Sequence, residues 1–187
     1  MSEQGGAGRY TRSFNGLLGA MVFMVVLVIA AYVFRDLVFG TPQERRPVAV
    51  EYLEDVQGLQ QAGFDPVYPE TLPTGWIVSE VAASLVESPT FRFNLYTPDD
   101  DYVGIRQESR DLEEMLVTYL DEDTVEEEAL VGVGEVAATW EAWSDAGGDR
   151  AYSAVVGGET VLVYGDVTAV ELRDLVEVLG TTELPLG

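Results

Sequence analysis

The sequence predicts an α+β fold: one N-terminal transmembrane helix and a single domain with a mostly antiparallel sheet of about six to seven strands covered by amphipathic helices. The first observation behind this prediction is the segment Phe14–Phe34, which is largely apolar and has no charged residue. The second is a series of segments with two-residue apolar alternation, joined by short turns that favour hairpins. The third is a set of stretches with apolar residues at helical spacing, which can cover one face of such a sheet.

The Phe14–Phe34 segment has the length of a membrane-spanning helix. At a rise of about 1.5 Å per residue, a helix of about 20 residues crosses a hydrocarbon core of about 30 Å. A helix buried in a soluble domain would carry a polar face, which this segment lacks. The prediction divides the chain into a cytoplasmic tail, a transmembrane signal-anchor helix, a linker and an acidic extracytoplasmic α+β domain, at residues 1–13, 14–38, 39–49 and 50–187.

The orientation of the anchor is predicted from its position in the chain. A cleaved secretory signal is the alternative, but its apolar region usually has about 7 to 15 residues before a small-x-small site, and Val28-Ile29-Ala30 lies inside the run. Arginines flank both ends of the segment, so the positive-inside rule does not set its direction. A short polar tail before the first apolar segment is typical of a signal-anchor, which predicts a single-pass protein of the cell membrane with its domain outside the cytoplasm. Gly16 and Ala20 form a small-xxx-small pair that could pack against a second helix, although small residues are also common in lone spans.

The domain is predicted to follow the order helix, three strands, helix, four strands, helix. The first helix begins near Val50 and ends before Gly63, the second begins at Asp111, and the third begins at Thr168. Asp111 and Thr168 are each followed three residues later by Glu, which is the capping-box pattern. The strands are predicted at residues 76–85, 90–97, 102–107, 129–131, 136–142, 150–156 and 160–164, and an acidic loop at residues 121–128.

The composition excludes several classes of function. The chain has 33 acidic against 10 basic residues, a net charge of −23, and neither cysteine nor histidine; every basic residue is arginine. Disulfides, thiolate nucleophiles, Cys/His zinc sites and Ser-His or Ser-Lys catalysis are therefore ruled out. Such a surface also repels nucleic acids and anionic lipid head groups, because binding to both depends on Lys and Arg. We expect no nucleic-acid partner.

Three other motifs are candidates for binding a metal or a cofactor. The acidic runs Asp99–Asp101 and 121–128 could collect a hard cation, but they lack the spaced ligands and the glycine of a calcium loop, so solvated loops are favoured. The stretch Gly132–Ala137 is a degenerate dinucleotide fingerprint, but it precedes a strand instead of opening a helix. The sequence therefore predicts no catalytic residue, no metal and no cofactor.

The aromatic residues are the remaining candidates for contact with a ligand. Aromatic side chains at strand spacing are most often core residues, and this is the ordinary interpretation here. Trp143 differs, because it is on the face of its strand opposite Trp140, so one of the two is expected to point away from the core. Trp143, Trp76 and Tyr96 are the candidate residues for contact with a ligand or a partner.

Several short motifs together resemble a known family. They are the N-terminal anchor, Leu72-Pro73-Thr74-Gly75-Trp76, the turn Tyr96-Thr97-Pro98-Asp99, Gly134 followed by Trp140, and Gly165-Asp166 before the helix Leu172–Leu179. In these features the chain resembles an actinobacterial family of membrane-anchored proteins defined as domain of unknown function 4245, over nearly its whole length. The resemblance implies no catalytic residue and no ligand. The Leu-Pro-x-Gly-Trp opening and the closing helix also look like those of membrane-tethered domains that sense or bind at the cell envelope.

These observations favour a non-catalytic membrane protein whose domain binds a partner protein of the envelope or an apolar ligand. The bilayer itself is the partner of the anchor. The alternatives are a carboxylate-dependent hydrolase of the cell wall, since paired carboxylates can act as acid and base, and a structural subunit that packs through Gly16 and Ala20.

Overall fold

The computed structural model describes residues 47–86 and 88–185, together with Met21, Met24 and Val25, which are helical. Apart from those three residues, the predicted span 14–34 lies outside the described part of the chain, and so do Gly16 and Ala20. Among the described residues, no helix is long and apolar enough to cross a membrane. The chain divides into two compact units, residues 1–45 and 46–187, and the following description concerns the second.

The domain is an α+β structure built on one seven-stranded antiparallel sheet, which confirms the predicted fold class. Its strand order is β2-β3-β4-β8-β7-β6-β5, and a second, two-stranded sheet pairs β1 with β9. The helices are α1 (Tyr52–Gln61), α2 (Leu112–Tyr119) and α3 (Ala169–Glu177), and the strands are β1 (Tyr68–Pro69), β2 (Ile77–Ser84), β3 (Thr90–Tyr96), β4 (Tyr102–Glu108), β5 (Val125–Val131), β6 (Thr139–Ser144), β7 (Arg150–Val156), β8 (Glu159–Gly165) and β9 (Leu179–Gly180).

Helices cover both faces of the large sheet, so the expectation that they cover one face is wrong. On the first face, α1 and α3 contribute Val56 and Leu172 to the main core, which also contains Phe93. On the second face, α2 contributes Met115 and Leu116 to a smaller cluster. The reason lies in the central strands: β8 has consecutive buried apolar residues, and a strand without alternation must be covered on both sides.

Two local predictions differ from the structure in an informative way. The segment predicted as an acidic loop, residues 121–128, contains the first part of β5. The three glutamates 126–128 lie on this strand, which is an edge strand of the large sheet, and they are exposed. An edge strand with solvent access lacks the alternation that identifies a half-buried strand, and charged residues there discourage pairing with another chain. The second difference concerns capping. Thr168 and Glu171 form the predicted capping box, whereas the Asp111 side chain makes no cap hydrogen bond.

Gly75 is the point of contact between two of the motifs that carry the family resemblance, Leu72–Trp76 and Tyr96–Asp99. It lies in the turn before β2 with φ +83°, and a Cβ atom there would lie 2.8 Å from Cγ of Pro98 in the turn after β3. Only glycine adopts this backbone conformation without strain and leaves room for the proline ring.

We predict that Gly75→Ala lowers the free energy of unfolding by about 1–3 kcal/mol, because it adds backbone strain and a contact with Pro98. Gly58 is the matched control, since it lies within α1 and a Cβ atom there meets nothing within 4 Å. Gly58→Ala should raise stability by about 0.4–1 kcal/mol through reduced flexibility of the unfolded chain. Denaturant unfolding of the full chain in detergent measures both, and a Gly75→Ala variant as stable as the wild type would contradict this account.

Candidate functional site

The second face of the sheet is open beside β2, β3 and β4. Helix α2 packs over Ala151 and Leu162 of β7 and β8, so the other end of this face carries no helix from the described residues. A cavity of about 570 Å³ opens there, which we call the arginine pocket. Its lining residues are Ala82, Ala83, Ser84, Ser88, Pro89, Thr90, Phe91, Arg92, Arg106, Glu108, Ser109, Arg110 and Tyr119.

The pocket collects the scarce positive charge of an acidic protein. Arg92, Arg106 and Arg110 line it, and the only other arginines in the described residues are Arg150 and Arg173. Among the described residues, Glu108 is the single carboxylate in the lining. The pocket is therefore locally positive in a chain whose net charge is −23.

Arg106 is the buried cation at the centre of the pocket. It is 6% exposed, and its guanidinium donates hydrogen bonds to the carbonyl of Ile105 at 2.9 Å and to the hydroxyl of Tyr102 at 2.7 Å. The guanidinium carbon lies 5.2 Å and 5.3 Å from the ring centroids of Tyr119 and Tyr164, within the range of cation–π attraction. Within the described part of the chain, no carboxylate lies at ion-pair distance from Arg106, and its Nε has no hydrogen-bond acceptor.

The other two arginines of the pocket already have carboxylate partners. Arg110 pairs with the buried Glu108, which also accepts a hydrogen bond from the Tyr119 hydroxyl. The hydrogen bond to Glu108 raises the pKa of Arg110, and burial, followed by the hydrogen bond to Glu108, raises the pKa of Tyr119. Arg92 pairs with Glu80 at 2.9 Å, with both side chains about half exposed. Glu108 is thus occupied by Arg110 and Tyr119, which leaves Arg106 without a counter-ion in the part of the chain that the structure describes.

Tyrosines form the wall behind Arg106. The hydroxyls of Tyr102 and Tyr164 lie 3.2 Å apart, and the pKa of Tyr164 is raised, mainly by burial. Gly104 makes room for this layer, because a Cβ atom there would lie 2.6 Å from the Tyr164 ring. Tyr164 therefore stays neutral at physiological pH, and this layer offers Arg106 a ring face and, through Tyr102, a hydroxyl acceptor.

This arrangement is suited to binding an oxyanion. A planar guanidinium presents parallel N–H groups that match a carboxylate or phosphate, and charge-assisted hydrogen bonds of this kind are stronger than neutral ones. The lining offers no Lys, His or Cys.

Comparison with known families agrees with the resemblance seen in the sequence. A family model described as "Protein of unknown function (DUF4245)" matches residues 9–179. The chain belongs to the DUF4245 family. A search of curated proteins gives no match.

The DUF4245 chain places the three sequence-predicted contact residues at different sites. Trp76 is buried in the main core, at 8% exposure. Trp143 is half-buried against the cluster under α2, and its Nε1 donates to Ser153 Oγ at 2.9 Å. Tyr96 is half-buried, and its ring centroid lies 5.7 Å from that of Tyr102, beside the tyrosine layer. None of the three lines the arginine pocket, and a contact role for them stays a prediction.

Trp140 lies on the opposite side of β6 from Trp143 and is fully buried in the main core. Its Nε1 has no hydrogen-bond partner among the described residues. A buried donor without an acceptor lowers stability.

The acidic residues of this DUF4245 domain do not converge on a cation site. Among the described residues, no group of three acidic side chains has the arrangement of a metal site. Among the described residues, Asp149 has a raised carboxyl pKa, caused first by burial and then by Asp145 and Asp166, whereas hydrogen bonds with Thr168 lower the pKa of Glu171. Asp145 closes its own turn, because its Oδ1 accepts from the backbone N–H groups of Gly148 and Asp149.

Sequence reasoning missed the arginine pocket, although two signals for it were present. Arg92 lies between Phe91 and Phe93, which face the core, so its side chain is on the other face of the strand. Arginine is also the only basic residue type in the chain. What the sequence does not contain is the register. Arg92 lies directly opposite Arg106 in the β3–β4 ladder, and this pairing of like charges on neighbouring strands is unfavourable, although the Glu80 carboxylate beside Arg92 offsets part of it.

Proposed function

We propose that this protein is a single-pass membrane protein whose extracytoplasmic domain binds, without catalysis, an anionic group of a partner in the arginine pocket. The observation that carries the proposal is Arg106: a buried guanidinium with one free donor side and no carboxylate at ion-pair distance among the described residues. A carboxylate or phosphate supplies the missing counter-charge.

The energetics support an anion and not an apolar ligand. Keeping a cation out of water is costly unless it is paired, and a partly desolvated site strengthens the pairing when an anion arrives. The rest of the acidic surface repels anions, so an anion is attracted to this pocket and not to other parts of the domain surface. An apolar ligand would leave Arg106 unpaired.

The proposal of a membrane anchor is based on the sequence. The uncharged segment Phe14–Phe34 has the length of a span, and the family match begins at residue 9, ahead of that segment. Packing of two anchors through Gly16 and Ala20 would give the structural-subunit alternative.

The rival function is a carboxylate-dependent hydrolase of the cell wall. The raised pKa of Asp149 beside Asp145 and Asp166 is the observation that favours it, since a general acid needs a raised pKa. Asp149 is half-buried. Release of cell-wall fragments by the full chain, lost in Asp149→Asn, would establish the hydrolase and refute the binding proposal.

The binding proposal predicts that the full chain in nanodiscs binds glutarate and that Arg106→Gln weakens this binding by roughly tenfold to hundredfold, the loss expected for a charge-assisted hydrogen-bonded pair. Isothermal titration calorimetry measures the affinity for glutarate. A second titration with inorganic phosphate distinguishes a carboxylate ligand from a phosphate ligand. Binding should weaken as salt is added, because the attraction is electrostatic.

Two further variants make this test decisive. Arg92→Gln removes a half-exposed charge at the rim of the pocket and should cost a few-fold in affinity, which keeps the test valid if Arg106→Gln fails to fold. Arg173→Gln removes an exposed charge outside the pocket and should leave affinity unchanged. Absence of binding of both anions to the wild type, or equal binding by all variants, would refute the proposal.

The proposed orientation predicts that a phosphatase-type reporter fused after Gly187 is active, while a reporter that works only in the cytoplasm is inactive at the same position. Fusions to the same chain lacking residues 14–38 provide the control, since they should reverse both results. A silent phosphatase with an active cytoplasmic reporter on the full chain would place the domain inside the cell.

A further inference from the structure

The arginine pocket adjoins an unpaired strand edge. Strand β2 is the outermost strand on its side of the large sheet. The backbone N–H of Val50 bonds to the carbonyl of Val78 and covers the beginning of this edge, and a register shift follows between Val78 and Glu80. From Val81 to Ser84 the strand pairs with β3 on one side, and on the other side no described residue pairs with it.

The two edges of the sheet are protected differently. On the opposite edge, β5 carries the exposed glutamates 126–128 and a register shift before Leu130, which discourage pairing with another chain. The free part of β2 reads Val-Ala-Ala-Ser, with no charge and no proline. It therefore retains the features of an edge that accepts another strand.

The register places this edge in line with the arginines. Ala82 lies opposite Arg92 in the β2–β3 ladder, and Arg92 lies opposite Arg106 in the β3–β4 ladder. All three residues line the arginine pocket. Neighbouring strands are about 4.8 Å apart, so a strand added to β2 would lie about 10 Å from β3. Its side chain opposite Ala82 would meet the long side chain of Arg92 across a residue that has only a methyl group.

The residues on either side of Ala82 belong to the other face. Val81 and Ala83 lie opposite Phe93 and Phe91, which are fully buried in the main core. Val81 itself packs against that core. Side chains of an added strand next to Val81 and Ala83 would extend this apolar face, so apolar residues suit those two positions.

We infer that the partner is an extended acidic peptide segment that adds a strand to β2 along Val81–Ser84, with an Asp or Glu side chain opposite Ala82 that meets Arg92 at the edge of the arginine pocket. The recognised pattern is apolar–acidic–apolar, and main-chain hydrogen bonds supply affinity while the acidic residue supplies specificity. This inference rests on the proposed function, because it uses the same pocket, and it adds the chemical class of the partner.

The test uses the full chain in nanodiscs and an acetylated, amidated peptide with the sequence Thr-Val-Glu-Val-Thr. We expect binding by calorimetry, a loss of about tenfold or more when the peptide glutamate is replaced by glutamine, and a similar loss in Arg92→Gln. Single N-methylation along the peptide should weaken binding at alternate positions, because successive N–H groups of a strand point to opposite sides. Hydrogen exchange should slow in Val81–Ser84 with the peptide but not with glutarate, and β5 serves as the internal control.

Each outcome separates this inference from the proposed function. If glutarate binds while the peptide leaves exchange in β2 unchanged, or if N-methylation has the same effect at every position, strand addition is refuted and the anion site stands. If neither glutarate nor the peptide binds, both are refuted. Slowed exchange in β2 without any peptide, in a chain that dimerises, would assign this edge to a second copy and overturn the inference. Ala82→Glu should reduce peptide binding about tenfold or more by placing a like charge in the row, whereas Ala129→Glu on β5 should not.

Discussion

The antiparallel pairing of β4 with β8 is the constraint on which the rest of the domain depends. It joins the three-stranded N-terminal meander to the four-stranded C-terminal meander in one sheet. Since both strands lie in the middle of that sheet, each must be covered on two faces, which requires α2 on the second face in addition to α1 and α3 on the first. The register then fixes which side chains of β4 meet each layer: Val103 and Ile105 enter the main core, and Arg106 enters the second face opposite Leu162.

The chemistry of the site follows from this placement of a cation in a tyrosine layer. Backbone carbonyls and the ring faces of Tyr119 and Tyr164 replace part of the water that Arg106 loses. They do not replace a counter-ion, and the nearby Glu108 is committed to Arg110 and the Tyr119 hydroxyl. A buried charge that stays unpaired is destabilising by several kcal/mol in general. Within the described residues Arg106 is in this situation, and the proposed binding of an anion would relieve the penalty.

The sequence was sufficient for the order of the three helices and of the seven strands of the large sheet, because alternation, turns and helical spacing are local properties. The neighbouring strands at residues 150–156 and 160–164 and the capping box of Thr168 were predicted from such local patterns and are present. The covering of both faces, the strand order and the β1–β9 pair depend on contacts between distant residues, which local patterns do not contain.

The same limit explains why the candidate site was predicted poorly. Aromatic residues attract notice in a sequence, yet Trp76 is a core residue in the structure, and an arginine in a strand gives no sign of whether it will be paired. Arg92 and Arg106 become a site only through their register. The absence of lysine and histidine, read from the sequence, still gives these arginines their importance, because few other groups in the domain can hold an anion.

The most direct measurement of the central claim is the nuclear magnetic resonance signal of the Arg106 Nε–H in the full chain, assigned by its loss in Arg106→Lys. On titration with glutarate, this signal should shift and its exchange with water should slow, while the Nε–H signal of Arg173 stays unchanged. An Arg106 signal that does not respond, or equal shifts at both arginines, would contradict the account.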